Sequence, residues 1–500
     1  MYIFAFMKRF WFILLAMLLL LASSCGKKKE NPFPDEGEEL PQWYYVNLFA
    51  HQVMSSYYLW NEEIKDGLSA WKTTADPVQT VKDIRYKDAS GKDIDRWTMV
   101  TDDFSSFTGG VAGYNVTNGV EFALYYGDRS HTSVVGVVTF TYADSPASAA
   151  GLRRGDVFVR VNGTAMTPDN YVSVVNDGLY GGNSVSLTLS DGRTVTLTPR
   201  DMYEEPLNEM RILDVEGRKV GYLHYTSFTL VSTASLPECF QSFSEAGIRD
   251  LVLDLRYNGG GYVTACDVLG SLIAPREEVR AGSVFSREIY NKILTEAWEE
   301  EPSCFLQEYT YAEDGRVFDL LGANPGIDRL YVLVGGNTAS ASESLICGLK
   351  PYMDVTVIGT RTYGKYCSGL MMGAPRWYET YRNDLEEGLT DKALPMVDNW
   401  GIYVMYARYA DRDGVTLSMP DGIVPDVELE DNPADGYQLG DPSETMLSAA
   451  LDLIAGRKTR LSAGAVSRPA LDPVSDPVRR PGFGILVSEG PWITGSRRLD

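Results

Sequence analysis

Residues 330–345 read LYVLVGGNTASASESL. The apolar run 330–334 predicts a buried strand, and Gly335-Gly336 ends it. A helix is predicted to begin near Ser340, because Ser340-Ala-Ser-Glu343 fits the S-x-x-E capping box. A strand that turns directly into a helix is the repeating unit of an α/β fold. The same junction is a place for chemistry: first-turn N–H groups and the helix dipole favour negative charge developing on a serine or its substrate. On spacing alone, Ser340 as a helix cap and Ser340 as a nucleophile both stay open.

Two further strand ends flank this one. LVLDLRYNGGG (251–261) runs from a buried strand into Asn258-Gly259-Gly260-Gly261, a turn that brings bare backbone N–H groups close to a ligand. The lysine spacing of a phosphate-binding P-loop is absent. VTVIGTRTYGKY (355–366) places Lys365 six residues after a strand and directly after Gly364. A serine nucleophile needs a base, and the three histidines, His51, His131 and His224, lie in no Gly-flanked turn that would aim them at Ser340. Lys365 does. A lysine acts as a base when burial in an apolar site lowers its pKa. With VGYLHYTSF (220–228), these strands alternate with helical stretches and mark 201–458 as an α/β core.

Upstream, residues 111–200 change to short β-rich runs between turns. SPASAAGL (145–152) followed by RRGD (153–156) and VNG (161–163) resembles a PDZ domain. That resemblance implies a peptide site at Gly119, Val120, Glu121 and Phe122, where loop N–H groups take a C-terminal carboxylate and the peptide adds as a strand.

Three ordered strings then identify a second resemblance. DLRYNGGG (254–261), TASASES (338–344) and GTRTYGK (359–365) are similar to the turn, nucleophile and base motifs of the C-terminal processing, or tail-specific, serine peptidases. The resemblance implies Ser340 as nucleophile rather than Ser342, Lys365 as base, and oxyanion donors at Ala341 and at Gly260 or Gly261. It implies a crotonase/ClpP-like β-β-α core, protein or peptide substrates with free C-termini, and no metal or cofactor. Two positions depart from the family pattern. Gly369 stands where a Gln commonly supports the base, leaving Ser368 as a weak substitute, and Gly259 replaces a Pro in the glycine turn.

At the N-terminus, Lys8-Arg9 precedes an apolar run of 12 residues, Phe10 to Leu21. As a helix it rises about 18 Å, short of a ~30 Å bilayer core, which predicts a signal segment over 1–24. Leu-Ala-Ser-Ser-Cys25 resembles a lipobox, so Cys25 is the expected lipidation site, with 25–41 as a tether and the outer membrane of a cell envelope favoured. Val46, Phe49, Ala50, Val53, Met54, Tyr57 and Trp60 form a helical stripe, read as a small helical domain over 42–110. Residues 459–500, rich in Pro and Arg, read as a surface tail. A net charge of −23 argues against nucleic acid as a partner. The five cysteines after Cys25 match no metal spacing and read as buried structural residues.

The sequence thus predicts a multidomain α/β protein: a membrane-anchored serine endopeptidase with a PDZ domain before its core. Its rival is an inactive, PDZ-containing peptide-binding lipoprotein. A carbohydrate-active enzyme is disfavoured because no spacing singles out a pair of acids.

Overall fold

The structure is a computed structural model that describes residues 39–72, 74–298, 302–457, 472–474, 478 and 484–488. The expected signal segment, Cys25 and most of the tether lie outside the described residues. No helix among the described residues is long and apolar enough to cross a membrane.

The centre is a six-stranded sheet in the order Leu207–Val215, Arg218–Tyr225, Asp250–Asp254, Arg329–Val334, Asp354–Gly359, Val427–Glu428. The first pair is antiparallel and the rest are parallel. Parallel strands are covered on both faces, which explains the unbroken apolar runs in the sequence. Alternate residues serve opposite faces. Leu251, Leu253, Leu330 and Val332 join the main core, whereas Val252, Tyr331 and Leu333 pack against the helix Thr445–Ile454.

Register fixes what these strands deliver. Asp254 pairs with Leu333, and Val334 with Gly359. The three strands therefore end level, and the turns carrying 255–261, 335–340 and 360–365 emerge at one edge. Outside the carboxyl ends of parallel strands is where such sheets place their sites.

A second sheet stacks Gly261–Tyr262, Leu486–Val487, Cys367–Gly373, Gly401–Ala410, Val284–Tyr290 and Ser303–Cys304 in that order. A third, smaller sheet orders Val120–Tyr126, Val134–Thr141, Val157–Val161, Val185–Leu189 and Thr194–Leu197. In its strand Val185–Leu189 the alternate residues Val185, Leu187 and Leu189 are buried, the period of a half-covered strand. The helix Tyr171–Leu179 closes its core through Val175 and Leu179.

Two expectations need correction. The helix Gln42–Tyr57 forms as predicted, with Trp60 beyond its end, yet it does not build a separate core. Val46, Phe49 and Val53 belong to the same buried cluster as Trp377 and Tyr406, Phe49 packs on Trp377, and Met99–Thr101 pairs with Gly401–Ala410. An apolar stripe shows that a helix is covered, not what covers it. Nor is the region after 458 simply a surface appendage. Ile485, Leu486 and Val487 are buried within the main core, and Val474 within the core of the small sheet. All five described cysteines are free thiols; Cys304 alone among them is partly exposed.

Candidate active site

The backbone at Ser340 is the most unusual point in the core. Its φ of 65° and ψ of −114° lie where residues with a β-carbon seldom sit, at the start of the helix Ala341–Leu349. One half of the capping pair predicted from sequence is in place, the Glu343 carboxylate accepting the Ser340 N–H at 2.9 Å. Ser340 is fully buried, and its Oγ makes no hydrogen bond of ordinary geometry among the described residues. Ser342, by contrast, donates its hydroxyl to Asn258 O. Of the two serines, Ser340 is the one whose hydroxyl is uncommitted.

Glu343 does more than cap. Its Oε2 accepts both the Ser340 N–H and the Lys365 N–H at 2.9 Å, and its Oε1 accepts from Gly364 N and Thr362 Oγ1. One buried carboxylate thereby staples the turn carrying Ser340 to the turn carrying Lys365. Burial pushes its pKa up to about 7 against the pull of those four donors. On the sequence Glu343 reads as a cap alone, because its partner Lys365 lies 22 residues further on.

Lys365 is completely buried, and burial lowers its pKa to about 7. Its Nζ donates to Tyr403 Oη at 2.6 Å and to Gly484 O at 2.7 Å, both neutral oxygens. Tyr403 supplies the contact that the sequence left open. A β-carbon on Gly369 would lie 2.3 Å from Tyr403 Cε2, so a Gln there would collide with the ring that reaches Lys365. Gly369 is thus room made for Tyr403. Ser368, the weak substitute, is buried beside Glu288 and gives Lys365 no bond among the described residues.

On the glycine turn, Asn258 acts as the brace. Its Nδ2 donates to Tyr225 O, its Oδ1 accepts from Gly260 N, and its backbone O accepts from Ala339 N. The N–H of Gly260 is therefore engaged within the turn, while that of Gly261 faces outward and donates to Ile485 O. Both N–H groups are thus engaged, that of Gly260 within the turn and that of Gly261 by Ile485, and only the second is freed when residue 485 leaves. Gly261 has φ 143°, and a β-carbon there would meet Phe228 O at 2.2 Å. Ala341 is the first helical residue, so its N–H is one of the orphan donors of that turn.

The predicted peptide site lies nearby. A cleft of about 170 Å³ is lined by Glu121, Phe122 and Tyr180 from the small sheet's side and by Gly259, Gly260 and Gly261 from the glycine turn. Gly119 has φ 68° and its N–H donates to Thr117 Oγ1. What approaches it closely is Ser145, 2.2 Å from where a β-carbon would sit. Its small size serves packing.

The histidines are elsewhere. His224 is buried against Asn208, with burial lowering its pKa to about 4, and His131 stacks on Tyr126. His51 packs on Trp71.

Residues 219–429 match the model of peptidase family S41. That segment is a peptidase family S41 domain. The resemblance to C-terminal processing serine peptidases, read from three short motifs, holds for the family. The chain is 29% identical over 340 residues to the chloroplastic C-terminal processing peptidase of Tetradesmus obliquus, covering 64% of this chain and 61% of that one. It is 24% identical over 329 residues to the carboxyl-terminal-processing protease of Picosynechococcus sp., covering 62% and 64%. The chain thus spans a little under two thirds of the length of these curated relatives. In fold it is similar to a crystal structure from Bacteroides fragilis NCTC 9343 assigned to the S41 proteases, with TM-score 0.59, 20% identity, and coverage of 85% of this chain and 99% of that one.

Proposed function

We propose that the chain is a serine endopeptidase in which Ser340 is the nucleophile and Lys365 the general base. The observation that carries this reading is the pair of N–H groups, one from each residue, held on a single oxygen of Glu343, with the Lys365 amine fully buried and facing no carboxylate among its hydrogen-bond partners. A neutral amine takes the Ser340 proton as Oγ attacks a peptide carbonyl. The N–H groups of Gly261 and Ala341 face the oxyanion, and water activated by Lys365 releases the acyl-enzyme.

The small sheet binds the substrate's tail as a PDZ domain, through the strand residues Val120, Glu121 and Phe122, the Gly119 N–H being held by Thr117. Cleft continuity between Phe122 and Gly261 supports that route. Cys25 carries a lipid that tethers the protein to an envelope membrane, the outer one favoured. Unfolded casein incubated with wild type, Ser340→Ala and Lys365→Ala tests the chemistry. Cleavage is expected in wild type alone, and equal cleavage by all three ends the reading in favour of a peptide-binding lipoprotein.

A further inference from the structure

The chain's own C-terminal segment lies where a substrate would. Gly484 O accepts from Lys365 Nζ, Ile485 O accepts from Gly261 N at 2.5 Å, and Leu486 exchanges bonds with Tyr403, its O accepting at 2.7 Å and its N donating at 3.1 Å. Leu486–Val487 adds as a strand beside Gly261–Tyr262 and beside Gly369. Three consecutive residues are thus held by their backbones, the sequence-independent grip of strand addition.

Ile485 is the residue presented to the nucleophile. A β-carbon built on Gly260 would sit 2.6 Å from Ile485 O and 2.7 Å from Ser340 Cβ, so carbonyl and serine crowd one face of the same glycine. The Ile485 carbonyl already rests on the N–H assigned to the oxyanion. A neutral Lys365 has two N–H donors, and Tyr403 and Gly484 take both. Its lone pair is not engaged by Ser340, whose Oγ makes no hydrogen bond among the described residues, so serine and amine must close on each other for the proton to pass.

The same segment also engages the small sheet. Asp472 O accepts from Tyr126 N, Val474 N donates to Leu124 O, and Pro473 bridges antiparallel to Tyr125. His131 Nε2 holds the Asp472 carboxylate at 2.9 Å. One chain segment therefore touches the strand expected to receive peptides and then the candidate catalytic residues, in the opposite chain order to a tail held on that sheet by its carboxylate.

We propose that the bond between Ile485 and Leu486 is presented to Ser340 as an intramolecular substrate, so that the chain trims itself to end at Ile485. The inference rests on the peptidase reading. Ser340 Oγ bonds to the Ile485 carbonyl carbon and the C–N bond to Leu486 breaks. The proton from Ser340 passes through Lys365 to the leaving Leu486 amine, and the chain from Leu486 onward departs as a peptide. Water then hydrolyses the Ile485 ester, regenerating the serine. The site consequently favours an aliphatic, β-branched residue before the cut and an aliphatic one after it.

The test follows intact mass over time for the full chain and for Ser340→Ala, with casein cleavage measured in the same wild-type sample. The expected result is a wild-type chain ending at Ile485, a matching released peptide, and an untrimmed Ser340→Ala. The trimming rate should not change with protein concentration. Casein cleavage with an intact C-terminus, or with a cut at another bond, overturns self-processing and leaves the peptidase reading standing. Trimming of Ser340→Ala by added wild type, at a rate matching that of wild type itself, overturns the intramolecular step. Absence of both activities sinks the two together.

Discussion

Two cations are fully buried near the ends of the central strands, and their surroundings drive them opposite ways. Arg256 donates to Asp254, to Glu444 and to Asp431, and these acids hold its pKa well above the ordinary value despite burial. Arg154, from the small sheet's side, joins the same Asp431 and Glu444 and donates to Tyr257 Oη, and Asp431 in turn is held well below the usual carboxylate range. Lys365 is equally dry but faces a phenol and a backbone carbonyl. A compensated buried charge fixes geometry; an uncompensated one is poised to give up its proton. The first cluster ties the small sheet to Arg256 and Tyr257, three residues or fewer before the glycine turn's Gly259. The second sits where the proton must move.

The comparison breaks most sharply at the lysine. Lys365→Arg keeps a cation and removes the titration, because a guanidinium stays charged at any working pH. Casein cleavage is expected to fall on the order of 10³-fold or more, as for loss of a nucleophile's partner. Activity retained within tenfold would show that the amine is not a base.

At the compensated site the expected damage is to stability. Glu444→Gln leaves Arg256 and Arg154 short of a carboxylate, and breaking a buried pair costs about 3–5 kcal/mol. Denaturant titration reads this as a lower midpoint with unchanged slope. A variant as stable as wild type would mean the cluster is not compensated as described.

Lys365→Met should do the reverse, with a pH signature. The folded pKa of about 7 lies below the unfolded value of 10.5, so between them the unfolded chain binds the extra proton. Wild-type stability from this group therefore rises with pH across that window, by about 1.4 kcal/mol per unit, and the penalty is fully present below pH 7. Lys365→Met is expected to be more stable than wild type at pH 6, the advantage shrinking toward pH 10. A difference that is flat with pH would remove the argument for a desolvated amine.

How far the sequence carries is clear from particular residues. Ser340, Lys365 and the glycine turn are legible because each sits just past a strand whose register the parallel sheet must level. The bridging by Glu343 was hidden because a cap explains the residue fully on its own helix. The C-terminal segment escaped because two strand residues, Leu486 and Val487, are too few to show a period within a Pro- and Arg-rich stretch. The shared core of the Gln42–Tyr57 helix was invisible because its partners, such as Trp377, lie hundreds of residues away.

Tyr403 offers the smallest and most discriminating change. It lies 38 residues from Lys365, inside Gly401–Ala410, a strand apolar but for Arg408, and nothing in its spacing marks it. Its hydroxyl accepts from Nζ, an interaction that favours the charged amine, since a bond to the charged form raises a lysine's pKa. Tyr403→Phe removes that acceptor while leaving the ring that fills the space beside Gly369. The expected loss in kcat/KM is about tenfold, the scale of one hydrogen bond to a charged group. The acid limb of the pH profile, expected near 7 in wild type, should move to lower pH. A purely packing role for Tyr403 would lower activity at every pH alike and leave that limb in place, so the position of the limb, rather than the size of the loss, decides whether Tyr403 replaces the family's glutamine.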